Sequence, residues 1–265
     1  MRHTLEYTVN CSLLFTELPI DERPRAAREA GFHAVEFWWP FDRAVPSRDE
    51  VDAFVRAVER AGVRLTGLNF FAGELPGPDR GVLSHPRRTA EFLANVEVVV
   101  RIAERTGTTG FNALPGRRLP GVDPAEQDRL ALENTVAAAH AVAEVGGTVL
   151  VEPLSGVDDY PLRSAADGLA FVDRAVDAGA DNVALLADLY HLAVNGDELD
   201  RVVRDHAAEF GHIQIADAPG RGEPGTGTLP VEQLLTAAQA GGYRGLVGLE
   251  YSPTVAGADS FDWLR

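Results

Sequence analysis

The sequence predicts an α/β fold of the (β/α)₈ or TIM-barrel class, formed as one domain over residues 1–265. Three observations predict it. Eight short β-rich runs alternate with longer segments of helical periodicity. The repeats occupy about 250 residues, the usual length of such a barrel. No linker, low-complexity segment or block of like charge divides the chain. The competing topology is a doubly wound open sheet, but no Gly-x-Gly-x-x-Gly follows the first strand, which weakens its dinucleotide-binding form.

Taken in order, the predicted strands are Thr8–Leu14, Ala34–Trp38, Arg64–Asn69, Gly110–Ala113, Thr148–Glu152, Val183–Asp188, His212–Ala216 and Leu246–Glu250. The helices between them carry their own start and stop signals. Asp21–Ala30 ends at Gly31, a residue suited to a left-handed cap. Ser47 with Glu50 three residues on forms a capping box, and Gly62 closes that helix. His85–Thr106 repeats Phe92, Val96, Val99 and Ile102 at helical spacing and stops at Gly107. Asp123-Pro124 opens a helix running to Val145, with proline where a missing N–H costs nothing. Ser164–Ala178, Glu198–Glu209 and Val231–Ala240 each end at a glycine, and Ser260–Leu264 is a short last helix.

Composition excludes several chemistries. The net charge of −16 argues against a nucleic-acid partner, which needs a basic footprint. All 24 basic residues are arginines. Without a lysine amine there is no Schiff-base aldolase, pyridoxal-phosphate enzyme or P-loop. The single cysteine, Cys11, lies in an apolar run and is expected to be buried and inert. No apolar run approaches the roughly 20 residues of a membrane span. The N-terminus lacks a signal-peptide core, so a cytoplasmic location is expected. The oligomeric state stays open, a homo-oligomer included.

The chemistry of a barrel lies at the C-terminal ends of its strands. Four consecutive strands present polar groups there: Glu152, Asp188, Gln214 and Glu250. Their intervals match one strand–helix unit each, so they should lie at similar height on one side of the mouth. Any one acid at such a position commonly caps the following helix. Three converging carboxylates, with arginine sparse in these stretches, would repel one another unless a cation joined them. Oxygen ligation of this charge suits Mg²⁺ or Mn²⁺. Just beyond the seventh strand, residues 217–228 form a loop rich in Gly and Pro that carries Arg221 and Glu223, the kind of segment on which sites are built.

These residues also resemble a known family. Val-Glu-Pro-Leu at 151–154, Ala-Asp-Leu-Tyr-His at 187–191, the run from Gly211 to Gly227, and Gly-Leu-Glu-Tyr at 248–251 look like the hydroxypyruvate isomerase branch of the xylose isomerase-like barrels. That group also holds 2-oxo-tetronate isomerases and ketose 3-epimerases. The resemblance extends weakly over the whole chain, through Asn10, Gly73, Arg80-Gly81 and Asn112-Ala113-Leu114; the 211–227 stretch is its specific part. It implies Glu152, Asp188, Gln214 and Glu250 as metal ligands, with Glu152 and Glu250 doubling as acid/base groups. His191 and Arg221 match substrate-contact positions. Epimerases of the group typically carry His where this chain has Gln214, which favours the hydroxy-oxo-acid branches.

The implied reaction moves a proton between adjacent carbons of a small hydroxy-oxo acid through an enediolate, hydroxypyruvate giving tartronate semialdehyde. Arg221 has the geometry to hold a substrate carboxylate bidentately. Asn69 and Asn112 are strand-end amides placed for substrate contact. Glu36 alternates with Val35 and Phe37, so it points into the barrel mouth or pairs with an arginine. Of Trp38 and Trp39, one is expected to pack and the other to wall the pocket; His85, before Pro86, is expected to cap a helix.

Overall fold

In the computed structural model, which describes residues 3–75, 77–255 and 257–264, eight parallel strands close into a barrel in sequence order. They are β1 (Tyr7–Asn10), β2 (Ala34–Phe37), β3 (Arg64–Asn69), β4 (Gly110–Asn112), β5 (Thr148–Val151), β6 (Val183–Asp188), β7 (Phe210–Ile215) and β8 (Val247–Leu249). β8 pairs back onto β1, with Val9 opposite Leu249. The helices are α1 (Arg23–Glu29), α2 (Arg48–Ala61), α3 (Thr89–Thr106), α4 (Pro124–Ala143), α5 (Ala165–Asp177), α6 (Leu189–Asn195), α7 (Leu199–His206) and α8 (Val231–Ala240). Met1, Arg2 and Arg265, at the ends of the predicted domain, lie outside the described residues.

The local signals explain most boundaries. Ser47 and Glu50 form both halves of the capping box of α2, and Gly62 closes it in the left-handed region. Asp123 accepts from Ala125 N at the start of α4, with Pro124 in its first turn. β1 stops four residues before the predicted end, because Asn10 Oδ1 accepts the backbone N–H of Ser12 and turns the chain. The stretch beginning at Gly257 is 3₁₀ rather than α, and His85 braces a turn, accepting from Arg87 N, rather than the helix that begins at Thr89.

One helix has no counterpart in the periodicity reading. α6 is only seven residues long and starts directly at the end of β6, too short to show a repeat. Its cap is Asp188 itself, which matters for the site.

Apolar strand residues pack outward against the helices. Phe37 meets Phe54 of α2 edge-on at 5.2 Å between ring centroids, and Phe70 meets Phe92 of α3 at 5.5 Å. Inside the barrel the filling is partly polar, with the Thr8 and Thr66 hydroxyls 2.8 Å apart. Cys11 is buried, as expected, and burial pushes its thiol pKa up, away from reactivity. Among the described residues, no helix is long and apolar enough to cross a membrane.

Candidate active site

The strand ends bring Glu152 and Asp188 together with His191, while Glu250, beyond β8, stands outside that cluster. Asp188 and Gln214 lie side by side in register on β6 and β7. Glu152 follows β5 and Glu250 follows β8, and all four are buried.

Each side chain is held from one side. Asn112 Nδ2 donates to Glu152 Oε2 at 2.6 Å, which leaves Oε1 buried without a hydrogen bond. Asp188 Oδ1 accepts from the N–H groups of Tyr190 and His191, capping α6, while Oδ2 makes no hydrogen bond. The capping role and the site role of Asp188 are therefore divided between its two oxygens. Gln214 Nε2 donates to Glu36 Oε1 at 2.8 Å, and Gln214 Oε1 is buried and unpaired. Glu250 differs, having both oxygens partnered, Oε1 by Arg221 Nη2 at 2.6 Å and Oε2 by Asn10 Nδ2 at 2.8 Å.

Arg221 corrects one premise of the sequence reading. Arginine is sparse along these strands, yet the loop after β7 carries this guanidinium into the acid cluster. It sits 3.5 Å from Asp188 Oδ2 and 5.4 Å over the Tyr190 ring. A built-in cation thus offsets part of the repulsion. Its loop is fixed by Asp217, whose carboxylate accepts from the N–H groups of Ala218, Gly225 and Leu229, and by Glu223, which accepts from Thr254. Arg221 itself adopts φ 58°, a conformation that tertiary contacts must impose on a non-glycine residue.

The electrostatics follow from burial. Burial, then the charge of Asp188, pushes the pKa of Glu152 up to about 8, against the Asn112 hydrogen bond. Glu250 is also raised well above the ordinary range, by burial first, with Arg221 acting the other way and Glu152 adding to the rise. Burial holds His191 neutral, with its pKa lowered to about 4.

His191 stands closer to the acids than a substrate-contact reading alone implies. Its Nε2 lies 3.6 Å from Asp188 Oδ2 and 4.0 Å from Glu152 Oε1, so the three residues form a cluster of metal-ligating type. The backbone N–H of Ser155 donates to Nδ1 at 3.1 Å. In the neutral ring the proton is then on Nε2, which makes that nitrogen a donor toward the acids rather than a free lone pair.

Asn69 and Asn112 are paired in register at the ends of β3 and β4. Asn112 supports Glu152, and Asn69 is buried beside it. Glu36 points into the barrel, where it meets His212 rather than an arginine. Asn10 and Ser155 are supports with no role assigned from sequence. The period of two that puts His212 and Gln214 on one strand face was the available signal for the His212–Glu36 contact.

A divalent cation fits this donor set. Glu152, Asp188 and Gln214 each hold a buried oxygen without a hydrogen bond, and hard oxygen donors of this kind suit Mg²⁺ or Mn²⁺. A cleft of about 760 Å³ is walled by Trp38, Trp39 and Phe71 from the loops after β2 and β3, and none of the four strand-end residues lines it. Both tryptophans line it, where one was expected to pack away.

Comparison with known proteins identifies the family of the fold. The family described as "Xylose isomerase-like TIM barrel" matches residues 24–265. A relative from Streptomyces coelicolor named "Putative hydroxypyruvate isomerase" is 54% identical over 97% of this chain and 95% of its own. The 2-oxo-tetronate isomerase of Cupriavidus necator is 33% identical over 98% of this chain and 97% of its own. A crystal structure from Brucella melitensis, described as an AP endonuclease of family 2, superposes with a TM-score of 0.88 at 31% identity, covering 98% of each chain. The chain therefore belongs to the xylose isomerase-like TIM barrel family.

Proposed function

We propose that this chain is a divalent-metal-dependent isomerase of a small hydroxy-oxo acid, interconverting hydroxypyruvate and tartronate semialdehyde through an enediolate. The observation that carries the reading is the set of unpaired buried oxygens on Glu152, Asp188 and Gln214, beside a third acid, Glu250. These four residues would hold Mg²⁺ or Mn²⁺. When bound, the cation supplies Lewis-acid polarisation of the substrate carbonyl.

The protein's own groups supply the proton traffic. Glu152 and Glu250 are the acid/base pair; burial raises the pKa of both, that of Glu152 to about 8. One takes the proton from the carbon that loses it, the other returns a proton at the adjacent carbon, and the hydroxyl proton passes from the oxygen of the first carbon to the oxygen of the second. The neutral His191 donates Nε2–H to a substrate oxygen, and Arg221 offers its guanidinium to the substrate's anionic end. Asn69 and Asn112 line the substrate's approach. Isomerases in the relatives' names support this class of reaction, and the net charge of −16 speaks against an endonuclease.

A four-carbon 2-oxo-tetronate is the second reading, supported by the Cupriavidus necator relative named as its isomerase. Assaying both acids with and without chelator separates the two. The Glu250→Ala variant should lose about 10²–10⁴-fold in turnover while remaining folded. Wild-type rates in that variant would remove Glu250 from the mechanism.

A further inference from the structure

Glu36 is a buried carboxylate that the proposed proton transfers do not use. It lies inside the barrel on β2, and each of its hydrogen bonds reaches a residue under the site. Oε1 accepts from Gln214 Nε2 at 2.8 Å and from Asn10 Nδ2 at 3.3 Å. Oε2 faces His212 Nε2 at 2.8 Å. Two glycines make the space. A Cβ at Gly248 would lie 2.6 Å from Glu36 Oε1 and 2.9 Å from His212 Nε2, and one at Gly67 would lie 3.0 Å from Glu36 Cβ. Four strands besides β2 (β1, β3, β7 and β8) are thus shaped around one carboxylate.

An ionised carboxylate only accepts hydrogen bonds. It therefore admits the NH₂ end of the Gln214 amide and excludes the carbonyl end. The Gln214 carbonyl oxygen is turned away from Glu36, and it is the oxygen left buried without a partner. We propose that Glu36, braced by His212, is a positioning residue that fixes the Gln214 amide so that its oxygen, not its nitrogen, is presented as the neutral ligand of the cation site. This rests on the metal reading above. A glutamine at position 36, able to donate as well as accept, no longer excludes the carbonyl end, so the Gln214 amide can rotate half a turn and present an NH₂ group, which cannot ligate.

The test is calorimetric titration of Mn²⁺ into chelator-stripped protein. Wild type should bind one ion, and Glu36→Gln should bind 10–100-fold more weakly, the usual loss when a ligand's support is removed. Because Glu36 acts through Gln214, the Glu36→Gln/Gln214→Ala double variant should bind no more weakly than Gln214→Ala alone. A through-space effect of the lost charge would persist in the double variant. Unchanged affinity in Glu36→Gln, or additive losses in the double variant, would overturn the proposal and leave the metal reading standing. Absence of Mn²⁺ binding by wild type would remove both. A merely structural role would lower the melting temperature of the stripped protein without changing the affinity of the folded fraction. If Glu36→Gln does not fold, His212→Asn, too short to reach Oε2, should weaken Mn²⁺ binding in the same direction; wild-type affinity there would overturn the proposal.

Discussion

Asp188 holds two jobs on one carboxyl, and its two oxygens separate them. Oδ1 accepts from the first N–H groups of α6, while Oδ2 is left for the site. Asparagine is as good an N-cap as aspartate. Asp188→Asn should therefore retain the wild-type melting temperature and lose Mn²⁺ binding and turnover. Asp188→Ala should lose those and about 1 kcal/mol of stability as well, read by urea unfolding. Equal melting temperatures for the two variants would show that the cap contributes nothing. The sequence placed Asp188 at a strand end but could not divide its oxygens, because α6 is too short to announce itself.

At the scale of elements, the segment after β7 is organised by a single side chain. Burial works to raise the pKa of Asp217, but the backbone N–H groups of Leu229, Gly227, Gly225 and Ala218 outweigh it and hold the carboxyl below its ordinary value. A depressed folded-state pKa means that the ionised form stabilises the fold. That contribution is present above about pH 4, the unfolded value, and is lost as pH falls through the folded value. Wild type should lose more stability than Asp217→Asn between pH 5 and the acid limit, measured by urea unfolding. Parallel curves would contradict this. The same variant should raise KM, since the loop carries Arg221 to Glu250. On the opposite side of the barrel, Ser47→Ala removes half of the capping box of α2 and should cost about 1 kcal/mol without touching activity. The Gly- and Pro-rich composition of 217–228 marked a functional loop, yet that Glu223 serves as a strut to Thr254 rather than as a site acid was visible only in the folded chain.

Across the whole molecule, the barrel brings together at its mouth three acids whose charges only partly meet Arg221. A cation that binds there and not to the unfolded chain stabilises the fold by mass action. At a free Mn²⁺ concentration of about 100 times Kd, the gain is about 2.7 kcal/mol, or about 5–10 °C in melting temperature for a chain of this size. Glu152→Gln combined with Asp188→Asn should abolish the shift. A wild-type melting temperature unmoved by Mn²⁺ would speak against a metal centre.

The sequence by itself determined the barrel, the order of its strands and the four polar groups at the ends of β5 to β8. Those features are written in local periodicity, in caps such as Ser47 and Gly62, and in the position of each residue along its own strand. Tertiary structure alone decided how each group is used. The arrival of Arg221 among the acids, the choice of which Asp188 oxygen is left free, and the orientation of the Gln214 amide against Glu36 all depend on residues far apart in the chain. Hydrogen bonding between such residues is directional and leaves no trace in composition or spacing, so only closure of the barrel could fix it.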